Sequence, residues 1–271
     1  LRRPIEPRQG GINFSYIVGL KEEDGEILCL DPLYHDPHTL VAGGTGSGKT
    51  VLVQTMLLDM AATNPSSKLK IIILDPKGGI DFGPICQLPH MAGPIVSEME
   101  EGMRTLNQLA DEMDRRYELL RSVGAKNIQR YNAKVRPEQQ LPVLFLVHDE
   151  LPDWMQSPDY AKCLGTVVTR LATKARASGI YLILIAQRPD KDVIPMQIRE
   201  NLGNRLVLKL PALSSEIALG EKGAENLLGK GHLAAKLGGT ISYAQAPFVD
   251  EENGELDEVV KAIIKGDKEW T

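Results

Sequence analysis

Residues 43–50 of the chain read GGTGSGKT, which satisfies the pattern G-x-x-x-x-G-K-[ST]. Glycines at this spacing let backbone N–H groups turn inward around phosphate oxygens, and the start of a following helix adds its dipole. The stretch lies between the apolar run HTLVA and the helically spaced KTVLVQTMLLDMAA, so a chance glycine-rich turn is the weaker interpretation. We therefore predict a P-loop in which Lys49 contacts the β- and γ-phosphates of ATP and the Thr50 hydroxyl binds Mg²⁺. The other predicted nucleotide-binding residues are Gly43, Gly44, Thr45, Gly46, Ser47 and Gly48.

Two acids, Asp149 and Glu150, directly follow the run VLFLVH. Because α/β proteins place ligands at the carboxyl edge of the sheet, we expect both acids to face the nucleotide. In a P-loop protein the first acid holds Mg²⁺, and a second acid can orient the attacking water and act as general base. The alternative is that both merely cap a strand end. A general-base glutamate indicates sustained ATP hydrolysis rather than a small-molecule kinase.

Polar residues follow two further apolar runs. Gln187 ends YLILIAQ, and we predict that its amide contacts the γ-phosphate or the attacking water. A hydrogen-bonded glutamine with no catalytic role is the alternative. Asp75 and Lys77, in LDPKGG, lie near the same predicted edge, where a local ion pair or turn cap and a role beside the nucleotide are both open. His148 is left out of the predicted chemistry, because a lone histidine ending a strand is more often structural.

The elements that position these residues alternate along the chain. Continuous apolar strands separated by helices indicate a parallel sheet covered on both faces, so we predict an α/β fold with a mostly parallel central sheet flanked by helices. HLAAKL and ISYAQA are predicted to form a hairpin around Gly238 and Gly239. The further strands are predicted at 38–42, 70–75, 141–150, 181–189 and 205–210, and helices at 98–121 and 159–179, with weak strand signals in INFSYIVGL and EILCL.

Composition restricts the class of protein. The formal net charge of −5 gives no overall electrostatic signature of nucleic-acid binding, although a ring-shaped motor can be acidic outside and basic in its channel. Three widely spaced cysteines without CxxC pairing suggest a reduced, cytoplasmic protein. The longest apolar runs are too short to span a bilayer, and LRRPIEPRQGG lacks the apolar segment of a signal peptide. Because the chain starts at Leu1 without a methionine, we expect it to be a piece of a longer protein.

The motifs and their order resemble the FtsK/SpoIIIE family of DNA-pumping ATPases, from about Gly19 to Phe248. They are PHTLVAGGTGSGKT, LDPKGG, EMDRRYELL with NIQRYN, LVHDE, RLATKARASGIYLILIAQRPDKDVI and AENLLGKGHL. The KARASGI…AQRP block is more specific than a P-loop, because generic ATPases lack it. On this resemblance, the P-loop, acid-pair and glutamine residues take the roles given above. The resemblance also implies a RecA-like core that assembles as a hexameric ring around double-stranded DNA.

The family places basic residues that touch DNA in the segment after the glutamine strand, which here reads DKDVIPMQIRENLGNR. Lys191, Arg199 and Arg205 are the matching candidates, and for Arg205 an interface or nucleotide-contacting role is equally open. HDELPDWM and SSEIALGEKG depart from the pattern of the cell-division translocases. Together with LLGKGHLAAKL they look closer to FtsK-like ATPases of defence systems, in particular those of phosphorothioation-dependent restriction. A restriction or other defence protein is therefore an expected partner.

The resulting hypothesis is an ATP-hydrolysing motor that translocates double-stranded DNA. A type VII-like protein-secretion ATPase and a conjugative DNA-transfer ATPase are the alternatives, and a scaffold that binds nucleotide without hydrolysis is a third. We divide the chain into a lead-in that packs on the core (1–37), the motor domain (38–250) and an acidic, helical tail (251–271).

Overall fold

The computed structural model describes residues 11–189 and 194–270, and within them nine strands form one sheet. The order across the sheet is β2-β1-β9-β8-β7-β3-β6-β5-β4. The strands are β1 (Tyr16–Lys21), β2 (Ile27–Leu30), β3 (Thr39–Ala42), β4 (Leu69–Leu74), β5 (Val143–His148), β6 (Ile180–Ala186), β7 (Asn204–Leu208), β8 (His232–Leu237) and β9 (Thr240–Gln245).

Eight α-helices accompany the sheet in the same described ranges. Three of them, α1, α2 and α5, confirm the helices predicted from apolar spacing. The helices are α1 (Lys49–Thr63), α2 (Met99–Ser122), α3 (Ile128–Asn132), α4 (Leu151–Met155), α5 (Pro158–Ser178), α6 (Met196–Glu200), α7 (Ala212–Leu219) and α8 (Glu255–Trp270).

The parallel half of the sheet brings the predicted chemistry to one edge. Strands β7, β3, β6, β5 and β4 run parallel, and every residue of β6 is buried, as its uninterrupted apolar sequence predicts. The register pairs Leu74 with His148 on one side of β5, and Ala42 with Ala186 across β3 and β6. The residues that follow these strands therefore emerge side by side.

The other half of the sheet is antiparallel, so the sheet is mixed rather than mostly parallel as the sequence suggested. Strands β8 and β9 form the predicted hairpin, with Leu237 opposite Thr240. Gly238 and Gly239, at φ 57° and 87°, occupy left-handed positions that a two-residue turn of this kind requires. Two strands joined by so short a turn must run antiparallel, and β1 and β2 then extend the same ladder beyond β9.

Two apolar layers cover the sheet, one on each face. Leu52, Met56 and Leu57 of α1 belong to one layer, which α8 joins through Leu256 and Val260. The helices α2, α4, α5 and α7 contribute to the other layer. Burial on both faces explains why the central strands are continuous apolar runs and not alternating ones.

The predicted division at residues 37/38 and 250/251 stays a prediction. In the described part of the chain, β1 and β2 hydrogen-bond into the same sheet, and α8 contributes to the core layer that contains α1. None of the helices in that part combines the length and apolar character needed to cross a membrane.

Candidate functional site

The P-loop connects β3 to α1 at the carboxyl edge of the sheet. Gly48 is the N-cap residue of α1 and has φ 97°, a left-handed conformation that favours glycine. A Cβ at this position would lie 2.5 Å from the backbone N of Gly231, whose N–H donates to the Ser47 carbonyl oxygen at 2.8 Å. The loop that leads into β8 thus holds the P-loop closely enough that only glycine fits at position 48.

The first glycines of the loop are fixed by neighbouring strands. The Gly43 N–H donates to the Ala186 carbonyl oxygen at 3.3 Å, and the Gly44 N–H donates to that of Lys209 at 3.0 Å. A Cβ on Gly43 would lie 2.6 Å from Ser47 Oγ, so the strand end also needs glycine. The helix start remains open toward a cavity, which is the arrangement that binds anions.

That cavity has a volume of about 790 Å³, within the range typical of small-molecule sites. Its walls include P-loop residues, Lys49, Thr50 and Gln187, all predicted from the sequence. Sequence reasoning missed further wall residues, although two of them lie in the quoted motif GKGHL. They are Val51, Asp81, Lys230, Gly231, Ala246, Pro247 and Phe248.

Phe248 is an exposed aromatic side chain in this cavity, with 70% of its surface accessible. An aromatic ring beside a phosphate-binding loop provides a stacking surface for a nucleotide base. We expect Phe248→Ala to raise the Kd for ATP about tenfold, measured by calorimetric titration, because it removes that surface. Tyr34→Ala is the matched control, since Tyr34 is 76% exposed but lines a different cavity. An equal Kd in both variants would contradict a stacking role for Phe248.

Four side chains join the ends of the four strands β3, β6, β5 and β4. Thr45 Oγ1 donates to Gln187 Oε1 at 3.3 Å, and Gln187 Nε2 donates to Glu150 Oε2 at 2.7 Å. On the other side, Lys77 Nζ lies 3.0 Å from the same Oε2 atom. The structure thus brings the predicted glutamate and glutamine into direct contact and connects both to the P-loop.

Asp75 and Lys77 have different tasks. Asp75 is fully buried and accepts hydrogen bonds from the N–H groups of Lys77 (2.8 Å) and Gly79 (2.7 Å), so it caps the turn after β4. The side chain of Lys77 projects from that turn to Glu150. Asp75 is therefore a turn cap and Lys77 forms an ion pair, and a role of Lys77 beside the nucleotide stays a prediction.

His148 is fully buried between the rings of Trp154 and Tyr160. Burial lowers its pKa to about 4, so the imidazole is neutral at physiological pH. Its Nδ1 lies 2.9 Å from the Asp149 carbonyl oxygen, which secures the end of β5. This packing agrees with its exclusion from the predicted chemistry.

Buried charges face each other beside the P-loop. Burial raises the pKa of Asp149 to about 6, with Asp75 and Glu150 adding to the rise. Burial lowers the pKa of Lys49, while Asp149 and Glu150 oppose that shift. A carboxylate that is costly to ionise without a counterion is a fitting ligand for a divalent cation.

The donor set fits Mg²⁺ rather than a metal held by protein side chains alone. The described residues contain no cluster of three or more His, Cys, Asp or Glu that could form a metal cage. Mg²⁺ in nucleotide enzymes uses one or two carboxylates, water and substrate phosphates. Asp149 and the Thr50 hydroxyl would hold it here, and the ion would neutralise charge on the phosphates.

Asp149→Asn is expected to stabilise the nucleotide-free protein. The folded-state pKa of Asp149 lies above its unfolded value, so the folded state binds this proton more tightly than the unfolded chain. The ionised carboxyl therefore costs stability progressively as the pH rises from about 4 to about 6, and fully above that. We expect the variant to gain about 1–3 kcal/mol in the free energy of unfolding at pH 7.5. Denaturant titration without nucleotide or Mg²⁺ measures this gain, which shrinks toward zero at pH 4.

Asp153→Asn is the control for this prediction, because Asp153 is exposed in the adjacent helix α4. An equal gain in both variants would show that the effect is not due to the burial of Asp149.

Arg205, a predicted DNA contact, is half-buried. Its guanidinium donates to the carbonyl oxygens of Leu202 (3.4 Å), Ala218 (3.0 Å) and Arg199 (3.3 Å), close to the ends of α6 and α7. The side chain thus ties two helix ends together, and its contact with DNA stays a prediction.

The other two DNA candidates are placed differently. Arg199 Nε donates to the Ile194 carbonyl oxygen at 2.9 Å and is also half-buried, so its DNA contact likewise stays a prediction. Lys191 lies outside the described residues.

Comparison with known proteins gives one family. The model of the FtsK/SpoIIIE family matches residues 13–191, more than half of the chain. The chain is 35% identical over 255 residues to the DNA translocase FtsK of Chlamydia trachomatis serovar D, covering 90% of this chain and 31% of that protein. The chain therefore spans about a third of the length of this relative.

Two solved structures share the fold. The pCW3 conjugation coupling protein TcpA, in a monomer form with ATPγS, superposes with a TM-score of 0.79 at 30% identity, over 95% of this chain and 72% of that one. The cytoplasmic domain of the type VII secretion ATPase EccC from Thermomonospora curvata gives 0.77 at 27% identity, over 97% and 32%. Both similarities extend over nearly the whole chain, including the mixed sheet.

Proposed function

The chain belongs to the FtsK/SpoIIIE family of ATPases, and from this membership we propose that it hydrolyses ATP with Mg²⁺ to translocate double-stranded DNA. The observation that carries the proposal is the hydrogen-bonded series from Thr45 through Gln187 to Glu150. It links the phosphate loop to the carboxylate best placed to act on water, so nucleotide state and hydrolysis are coupled through side chains.

Each residue of the site then has one task. The Lys49 ammonium binds the β- and γ-phosphates, while Thr50 and Asp149 hold the metal ion. Glu150 orients the attacking water and accepts its proton. Gln187 contacts both Thr45 and Glu150, and we propose that it reports the presence of the γ-phosphate to the segment that follows β6.

We propose that the core is RecA-like and that the full protein assembles as a ring, a hexamer in the simplest case. The strand order supports the RecA-like assignment, because β6 lies between the P-loop strand β3 and the acid-bearing strand β5. Such a ring would surround the duplex and present Lys191, Arg199 and Arg205 to its phosphates, giving sequence-independent, salt-sensitive binding.

The cellular role we propose is DNA restriction, in the cytoplasm, with a defence protein as partner. The support is the set of sequence features HDELPDWM, SSEIALGEKG and LLGKGHLAAKL, which resemble DptH, the FtsK-like component of phosphorothioation-dependent restriction.

The test is ATP hydrolysis with and without linear duplex DNA, at low and moderate salt, on a preparation whose oligomeric state has been determined. Hydrolysis stimulated by DNA, with a stimulation that fades as salt rises, is the expected result. An assembled ring whose rate of ATP hydrolysis is the same with and without DNA would contradict the proposal. The Glu150→Gln variant provides the background rate of ATP hydrolysis in this assay.

Protein export is the second candidate, favoured by the similarity to the type VII ATPase EccC. In that case a substrate peptide, rather than DNA, is expected to stimulate hydrolysis. Conjugative DNA transfer is a variant of the first proposal, in keeping with the similarity to TcpA.

A further inference from the structure

The carboxylate of Glu150 is held from two sides at a single oxygen atom. Lys77 Nζ lies 3.0 Å and Gln187 Nε2 lies 2.7 Å from Oε2. The Glu150 side chain is 9% exposed, whereas that of Lys77 is 42% exposed. An acid expected to take a proton from water thus already accepts two hydrogen bonds at that atom.

Two tight turns bring Lys77 and Glu150 together. The buried Asp75 fixes the turn after β4, and Gly78 and Gly79 continue it at φ 75° and 81°. A Cβ on Gly79 would overlap the Ile95 side chain, so this path depends on glycine. Glu150 itself has φ 44°, an uncommon left-handed value for a residue with a side chain. These constrained backbone conformations direct the side chains of Lys77 and Glu150 toward each other.

We propose that Lys77 is a positioning residue that restrains Glu150 while the site is free of nucleotide. This rests on the proposed function, because it assigns Lys77 a place in the same hydrolytic site. The two contacts hold the carboxylate turned toward Lys77 and Gln187, so its release from Lys77 lets Glu150 reorient toward the attacking water before hydrolysis.

The nucleotide itself supplies the means of release. The charge of Lys77 interacts with those of Asp81 and Lys49, two residues that line the cavity proposed to bind ATP. A lysine ammonium is a mobile charge on a flexible stem, and several phosphate charges attract it more strongly than one carboxylate does. Entry of ATP therefore draws Lys77 away and frees Glu150 for the water.

The first test compares Lys77→Met with the wild type in steady-state hydrolysis, with and without duplex DNA. Removal of the ammonium is expected to raise the DNA-independent kcat about threefold to fivefold, the range for a partly exposed ion pair, and to lower the relative stimulation by DNA. KM for ATP is expected to rise at most about threefold, because the phosphate attraction lost with the ammonium is offset by the Glu150 ion pair that no longer has to be broken. Lys77→Arg restores a cation and is expected to return the rate toward the wild-type value.

Lys261→Met is the matched control, since Lys261 is an exposed lysine on α8. An unchanged or lower kcat in Lys77→Met, with ATPγS still bound, overturns the restraint. A rise in KM without a rise in kcat also overturns it and makes Lys77 a phosphate-binding residue.

A second measurement does not need hydrolysis. The rate at which acetic anhydride modifies Lys77, followed by mass spectrometry, is expected to increase in Glu150→Gln relative to exposed Lys126. Equal relative rates in both proteins overturn the pairing. Failure of the proposed function looks different, because a wild type that hydrolyses no ATP leaves this labelling result intact.

Discussion

Glu150→Gln is expected to leave ATP bound and to slow its hydrolysis about 10²-fold to 10⁴-fold. The amide keeps the shape of the carboxylate but cannot accept a proton from water. Glu150 is 7% exposed and lies next to Asp149, at the end of β5 where the Mg²⁺ ligand is expected. Single-turnover hydrolysis together with the Kd of ATPγS measures the effect, because it separates the chemical step from binding.

Glu118→Gln is the control for this variant. Glu118 is a glutamate on α2 whose side chain is 72% exposed and pairs with Arg121. Its substitution is expected to change neither rate nor binding. Turnover of Glu150→Gln at the wild-type rate would mean that the acid pair has been misassigned and that another group activates the water.

Lys49→Ala is expected to abolish measurable nucleotide binding, with a Kd raised at least about 100-fold. Two effects add. The variant loses a charge-assisted contact to the phosphates, and it leaves Asp149 and Glu150 without the buried cation that now offsets their charge. A polyanion entering the altered site meets net negative charge. Equilibrium titration with a fluorescent ATP analogue measures the change.

Lys126→Ala tests whether position matters more than charge. Lys126 is an exposed lysine at another cavity, of about 640 Å³, and its removal is expected to leave nucleotide affinity unchanged. Wild-type ATPase activity in Lys49→Ala would overturn the P-loop assignment.

The sequence by itself determined the parts of the fold whose signals are local. The P-loop follows from glycines that must bend the backbone, and β5 and β6 follow from apolar runs that only a strand buried on both faces requires. The polar residues at the ends of those runs indicated which edge of the sheet carries the candidate site, because the carboxyl ends of parallel strands lie at the same edge. The hairpin at Gly238 and Gly239 could also be predicted from the sequence, since few residues other than glycine adopt both turn conformations.

Only the tertiary structure decided which side chains meet. Lys77 and Glu150 are 73 residues apart in sequence, and their contact depends on β4 and β5 being neighbours in register. Arg205 is a candidate for DNA, interface or nucleotide contact in sequence, and only the structure shows that its guanidinium also donates to the carbonyl oxygens of Ala218 and Arg199 near the ends of α7 and α6. Phe248 carries no sequence signal of its own, because a base-stacking surface depends on where the chain after β9 passes the P-loop. Local sequence patterns encode whether a segment forms a helix, a strand or a turn. Which side chains then contact each other depends on topology and packing across the whole sheet.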